Sequence, residues 1–333
     1  MKHIGQKIEW IRKKNGYSRQ FVAENICDES TLYRIEKSTQ LPRLDVLQNI
    51  CQKLNVSVDF VLTPEEDSSA IYVSKIKKLC RESLYQQDFN SLQYVIEEAE
   101  NYIRKNSHQL DKSFIRFIEW QKAILSHKKE RFPKKAERAL RKLLNHKVIT
   151  ELDINIANSL AIILIETKEY DEAAVFLSKG LTAWETLLSV EDKSLYPRVA
   201  YNMAYIHYLK KQYDACIDLA YRLQYYLLSN HLFYSKGELY HLLGIVYEVQ
   251  KDYENAYKYF TDAISVFSLE GKELFLLRTM RALAEVCYLK GDRAEGDKLV
   301  ADSIRRIERI EDKELAETLF KKIKHTEEQY AKR

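Results

Sequence analysis

An aromatic-led motif that returns about every 40 residues constrains this chain more than any other feature. Its clearest copies are K-E-Y-D-E-A-A around Tyr170, K-Q-Y-D-A-C-I around Tyr213 and K-D-Y-E-N-A-Y around Tyr253. Phe89 and Phe132 mark earlier copies, and G-D-R-A-E-G, with Arg293 at the marker position, is a degraded last one. The intervals between successive markers are 43, 38, 43, 40 and 40 residues. About nine residues before each of the last four markers stands a small residue: Ala161, Ala204, Gly244 and Ala284. A small side chain there lets two antiparallel helices pack closely, so each period predicts a helical hairpin whose second helix starts at the marker. Hairpins of this kind bury a continuous core only by stacking on their neighbours.

Composition agrees with an all-α chain. Glycine (8) and proline (4) are scarce among 333 residues, and a hydrophobic fraction of 46% is too high for disorder. The N-terminal MKHIGQKIEW lacks a signal-peptide core and no run of 18 apolar residues occurs, so a cytoplasmic protein without a membrane segment is expected. Cys27, Cys51, Cys80, Cys216 and Cys287 are scattered without metal spacing and read as reduced thiols, with no metal or cofactor expected. Nucleophile-elbow, Walker A and zinc-hydrolase motifs are all missing, which argues against an enzyme.

Residues 1–63 follow a different rhythm. Ile4, Ile8 and Ile11 define a helix that Asn15-Gly16 breaks. Ser18 is placed to cap a short second helix, RQFVAEN, with Phe21 and Val22 facing inward. After the turn Asn25-Ile26-Cys27, Asp28 can cap a third helix, ESTLYRIEK, with Leu32 and Ile35 on one face. Leu44, Leu47, Ile50 and Leu54 mark a fourth helix, and residues 57–62 a fifth. Five short helices with a tight turn between the second and third describe a helix-turn-helix fold.

The segments I-x-x-x-I-x-x-I-R-K, S-R-Q-x-V-A, S-T-L-Y-R-I-E, L-P-x-L-x-x-L and N-V-S-V-D-F-V-L resemble the Cro/repressor-type (XRE) family in register over residues 1–63. The turn departs from many members by reading N-I-C where they carry glycine. In such a fold the third helix enters the major groove and its flanking helix fixes register on phosphates. By position, Glu29, Ser30, Thr31 and Arg34 lie on the exposed face of the recognition helix, with Tyr33 at its edge. Arg19 and Gln20, starting the second helix, are placed to contact phosphate. Glu36 is read as an internal ion-pair partner, and Arg12, Lys13 and Lys14 as either phosphate contacts or an ordinary solvated face. The head carries ten Lys/Arg against seven Asp/Glu, a weak footprint for a single copy, so a homodimer on a two-fold symmetric double-stranded DNA operator is expected.

Residues 64–70, acidic and proline-containing, read as a linker. Residues 71–310 resemble degenerate tetratricopeptide repeats, which implies a right-handed superhelix, and 311–333 a capping helix. The competing reading is a plain helical bundle that only dimerises the heads. In a solenoid the first helix of each pair lines the concave wall. The small residues then set a register that puts Asn155, Asn158 and Ile162 on that wall, followed by Arg198, Tyr201, Tyr205 and Tyr208. Glu238, His241 and Glu248 come next, then Arg278, Arg281, Glu285 and Tyr288, with Asn202 close by. Asparagine offers both donor and acceptor to a peptide backbone, arginine grips carboxylates, and tyrosine gives contact area at small entropic cost. A lone His241 is read as a hydrogen-bonding or packing residue rather than a metal ligand. An XRE head followed by such repeats resembles the Rgg/PlcR/PrgX (RRNPP) regulators. That resemblance implies a receptor whose DNA binding is gated by a short signalling peptide on the concave face, of the quorum-sensing type. A repressor whose repeats bind a protein partner, or only dimerise, is the alternative.

Overall fold

A computed structural model describes residues 2–62, 68–106, 111–144, 147–310 and 312–330, and the chain divides into two compact units, 1–118 and 119–333. The first opens with α1 (Lys2–Lys14), α2 (Arg19–Ala23), α3 (Glu29–Glu36), α4 (Leu44–Lys53) and α5 (Val58–Leu62). Their shared core includes Ile8, Val22, Leu32, Ile35, Ile50, Leu54 and Val61. Gly5 lets α1 reach α3: a Cβ there would lie 1.9 Å from the Ile35 carbonyl oxygen. Ser18 caps α2, its Oγ accepting from the Phe21 amide at 3.0 Å. Asn25 in the turn has φ of 61°, a left-handed conformation that asparagine tolerates, so the expected glycine is dispensable.

Two local expectations are corrected. Phe21 does not face inward; it is 44% exposed, lying against Tyr17 and beneath the Lys53 ammonium, while Val22 and Ala23 fill the core. Asp28 occupies the N-cap position of α3, yet its side chain makes no capping hydrogen bond.

Most of the expected linker lies outside the described residues, but α6 (Ser68–Tyr85) already starts within 64–70. It is followed by α7 (Phe89–Asn106) and α8 (Lys112–Lys128), and α8 carries the division between the units. The second unit continues with α9 (Pro133–Leu143), α10 (Glu151–Glu166), α11 (Tyr170–Thr186), α12 (Leu195–Leu209) and α13 (Tyr213–Ser229). Then come α14 (Lys236–Val249), α15 (Tyr253–Glu270), α16 (Glu273–Lys290), α17 (Arg293–Ile307) and, at the capping position, α18 (Lys313–Tyr330). Five of the six markers are the first residue of a second helix, and Phe132 is the N-cap of α9.

The residue two before the last four markers explains the rest of the motif. Lys168, Lys211 and Lys251 end their first helices at φ of 67°, 59° and 64°, and Gly291 holds the same place at 85°. The chain must turn left-handed there to reverse into the next helix. Ala161, Ala204 and Ala284 are fully buried, and a Cβ on Gly244 would lie 2.5 Å from the Phe260 ring. From α9 to α18 consecutive helices pack against one another, and α10, α12, α14, α16 and α18 also touch in succession, forming one wall of first helices.

Candidate DNA-reading helix and ligand wall

In the head, a carboxylate organises the cations. Glu36, 1% exposed, receives Arg12 Nε at 2.5 Å and Nη2 at 3.1 Å, and Arg19 Nε at 2.7 Å. Arg12 also donates to the Tyr17 carbonyl at 2.9 Å. Arg12 is therefore a buried structural residue and not one of the phosphate contacts considered above. Arg19 is divided between two tasks: its Nε is held by Glu36, while its guanidinium lies 5.0 Å over the Tyr33 ring. Hydrogen bonding to Glu36 raises its already high pKa, so the charge is permanent. Glu9 gathers Lys13 and Lys37, whose hydrogen bonds hold its carboxyl at about 2.

Against this framework α3 leaves Glu29, Ser30, Tyr33 and Arg34 exposed and Thr31 half-buried, with Gln20 exposed on α2. Arg34 makes no ion pair among the described residues, so its guanidinium can approach a base edge without breaking an internal contact.

The wall of first helices is joined by side-chain rungs. Trp120 Nε1 of α8 donates to Ser159 Oγ of α10 at 2.9 Å, and Asn202 Nδ2 of α12 donates to Asn158 Oδ1 of α10 at 2.8 Å. Asn158 stands three before Ala161 and Asn202 two before Ala204; Trp120 and Ser159 stand likewise three before Ala123 and two before Ala161. Asn158 is 7% exposed, and the rung leaves its NH2 group and the Asn202 carbonyl oxygen without a partner among the described residues. Asn155 behaves differently: its Nδ2 donates to the Glu151 carbonyl of its own helix.

Farther along, Tyr201, Tyr205 and Tyr208 stand in a stack on α12, with centroids 6.5 and 6.1 Å apart. Burial, then Glu238, pushes the Tyr201 phenol up, so it stays a neutral donor. Arg198 pairs with Asp192 at 2.5 Å, and Glu238 accepts from Lys272 at 2.9 Å. Yet Arg198 Nε and Glu238 Oε2 are buried without a hydrogen-bond partner: a free donor and a free acceptor on adjacent wall helices. His241 bonds Thr279 Oγ1 at 3.0 Å; burial, then Arg281 and Arg278, lowers it to about 4, so it is neutral.

The two candidate arginines of α16 separate clearly. Arg281 is engaged by Glu285, which also accepts from Thr326 of α18 at 3.0 Å. Arg278 is exposed, rests 5.8 Å from the Phe275 ring and has no carboxylate partner among the described residues. Glu248, missed as a chemically distinctive group, is pushed up to about 7, first by burial and then by Glu285. Its burial and its neighbour Glu285 on α16 give it that character, and no local motif records them.

No group of His, Cys, Asp and Glu among the described residues could hold a metal ion, and no described helix is long and apolar enough to cross a membrane. The helix-turn-helix family model matches residues 8–61 and the tetratricopeptide repeat model residues 236–309. No curated protein matches the chain by sequence. Among solved structures, Bacillus thuringiensis PlcR in complex with the peptide PapR7 and DNA is similar at a TM-score of 0.59 and 20% identity, over 82% of this chain and 99% of that one. ComR from S. thermophilus, in complex with DNA and its signalling peptide ComS, follows at 0.58 and 16% identity, over 88% and 99%. The Streptococcus dysgalactiae SHP pheromone receptor Rgg2 aligns at 0.53 and 16%, over 83% and 97%. The chain thus carries a helix-turn-helix domain and tetratricopeptide repeats, in the fold of the Rgg- and PlcR-type regulators its sequence resembles.

Proposed function

We propose that the chain is a cytoplasmic transcriptional regulator that binds double-stranded DNA through α2 and α3 and is gated by a short signalling peptide on the wall of first helices. The single observation that carries this reading is the Asn158–Asn202 rung, with one amide donor and one amide acceptor left over beside it. An extended peptide backbone presents the complementary carbonyl and N–H. Arg198 Nε and Glu238 Oε2 offer a second such pair one helix farther on, and Arg278 an unengaged grip for a carboxylate. The tyrosine stack between them supplies apolar contact area. PlcR and ComR, of the same fold, were solved with peptide and DNA bound.

Gating requires only that the peptide bind one arrangement of the repeats more tightly than another. The test is anisotropy of labelled upstream DNA at two salt concentrations, with and without short peptides encoded by neighbouring reading frames. A salt-sensitive complex whose affinity shifts with one peptide supports the reading. DNA binding indifferent to every peptide sends the array's role to a protein partner, and no DNA binding by folded protein at low salt overturns the regulator itself.

A further inference from the structure

We propose that the solvent face of α9 is a second DNA-contacting surface, one that grips the phosphate backbone without reading sequence. Such a contact rests on the DNA-binding reading of α2 and α3 and extends it to the repeats.

Residues 128–147 carry nine Lys/Arg against two Glu, and the rest of the chain 44 against 47. All of the protein's net positive charge therefore lies in this one segment. Within it Lys128 pairs with Glu166, Lys135 with Glu130, and Arg141 with Glu137 and Glu172. Arg131, Lys134, Arg138 and Lys142 are exposed and form no ion pair among the described residues. Helix α9 buries Ala136 and Leu140. Its opposite side carries Lys134, Arg138, Arg141 and Lys142, with Lys135 beside them and no acid among them. Lys134, Arg138 and Lys142 are four apart in sequence, so they follow one another at about 6 Å along the axis.

The fold itself does not ask for these cations. Every second helix buries a pair four apart: Leu92 and Ile96, Ala173 and Leu177, Cys216 and Ala220, Ala256 and Phe260, Gly296 and Val300. Two residues before that pair, where α9 has Lys134, stand Asn90, Asp171, Asp214, Glu254 and Ala294. An acid suits the start of a helix, and two of these are also stitched to the end of the next first helix: Asp171 to Lys210 at 2.5 Å and Glu254 to Lys290 at 2.8 Å. On α13 the acid is Asp214, and Gln250 stands in the lysine's place. Lys134 reverses the sign at this position, and α9 has no acid in its first turn. At the two following places, Arg138 and Lys142, no other second helix is basic at both. Like charges four apart repel along a helix, so the stripe is unfavourable until a polyanion meets it.

Duplex DNA is the occupant that this chemistry fits. A protein-binding patch has aromatic or apolar anchors at its centre and few lysines, and a membrane-surface helix has apolar residues to insert. Between Pro133 and Leu143 no large apolar side chain is exposed. A phosphate backbone requires only cations at intervals, and the head, with ten Lys/Arg against seven Asp/Glu, supplies few of its own. Contacts from α9 add affinity and leave sequence discrimination to α3.

The experiment is anisotropy of labelled upstream and scrambled duplexes with the full chain over a salt series. One variant combines Lys134→Gln, Arg138→Gln and Lys142→Gln, which keeps good helix formers on an exposed face. A second combines Lys179→Gln, Lys258→Gln and Lys298→Gln, removing the same charge from other second helices. The α9 variant weakens binding to both duplexes at least about tenfold at low salt and flattens the slope of log affinity against log salt by about 2–3. The charge-matched variant leaves both close to wild type. An unmoved slope in the α9 variant, or equal losses in the two variants, overturns the proposal. So does a loss confined to phosphatidylserine vesicles or polyglutamate, which would give the face to a membrane or an acidic protein. Arg34→Ala separates the two readings. If it abolishes the preference for upstream DNA while the α9 variant binds as wild type, the α9 surface alone fails. If the α9 variant loses DNA and Arg34→Ala changes nothing, the surface stands and the head reading fails.

Discussion

Replacing Glu248 by glutamine stabilises the repeat unit above neutral pH and does little below pH 5. Glu248 belongs to α14, and it faces Glu285 and Arg281 of α16 and Tyr208 of α12. Burial, then Glu285, raises its carboxyl from an ordinary 4.5 to about 7. An acid whose folded-state value lies above its unfolded value favours folding while protonated. Its penalty therefore develops as pH climbs from about 4.5 through about 7, and is complete beyond that. A rise of that size corresponds to roughly 3 kcal/mol as an upper bound. Glu248 is only half-buried, and solvent screening brings the expected penalty to about 1–2 kcal/mol. Glutamine keeps the shape and removes the charge. Urea unfolding of the wild type and Glu248→Gln, followed by circular dichroism at pH 5 and pH 8, reads the difference. The variant should match the wild type at pH 5 and exceed it by about 1–2 kcal/mol at pH 8. A variant equally destabilised at both values would mean that Glu248 is a favourable structural partner, and the electrostatic argument would be wrong.

Four other outcomes follow from the same structure. Asn158→Ala and Asn202→Ala each remove the rung at a cost of about 1 kcal/mol in stability, and peptide titrations should lose their response while basal DNA anisotropy is kept. Arg34→Ala leaves the fold intact and lowers affinity for operator DNA by about 1–3 kcal/mol, measured against a scrambled sequence to show lost discrimination. Glu36→Ala strands the buried Arg12 charge and destabilises the head by about 3–5 kcal/mol in thermal melts; an unchanged melting point would refute its organising role. Gly244→Ala drives a methyl into the Phe260 ring and costs about 1–3 kcal/mol in urea unfolding, whereas Lys211→Gly at a left-handed position leaves stability equal or higher.

The hairpin starts were legible because an aromatic at a helix start and a small residue nine before it answer to local packing. The meaning of the lysine in K-E-Y, K-Q-Y and K-D-Y was not, since a left-handed backbone in a non-glycine residue leaves no compositional trace; Gly291 in the degraded copy holds the same position openly. In the head, the apolar spacing of Ile4, Ile8 and Ile11 placed the core, while Phe21 was misread because a period cannot distinguish a core aromatic from one lying on the surface beside Tyr17. On the wall, counting from the small residues reached Asn158, Tyr201, His241 and Arg281, which the structure joins across or along the wall helices. What counting could not reveal was pairing: that Asn155 bonds its own helix, that Arg281 is engaged by Glu285 and that Arg278 has no carboxylate partner among the described residues. These contacts lie within single helices, and a count of exposed positions does not say which neighbour a side chain takes.

The glutamine at 250 has a mechanical consequence. In a linear array, stability is a sum of repeat terms and nearest-neighbour couplings, and opening stops where coupling is weakest. Asp171–Lys210 and Glu254–Lys290 fasten their repeats to the next; the step from α13 to α14 has no such fastening at that place. That junction is held instead by the Tyr221 hydroxyl, which bonds those of Tyr247 and Tyr259, and hydrogen exchange should show amides on its two sides opening with different free energies. A twist imposed on the wall would gather where hydroxyl bonds replace an ion pair, so this joint lies between the tyrosine stack of α12 and the charged cluster of α14 and α16.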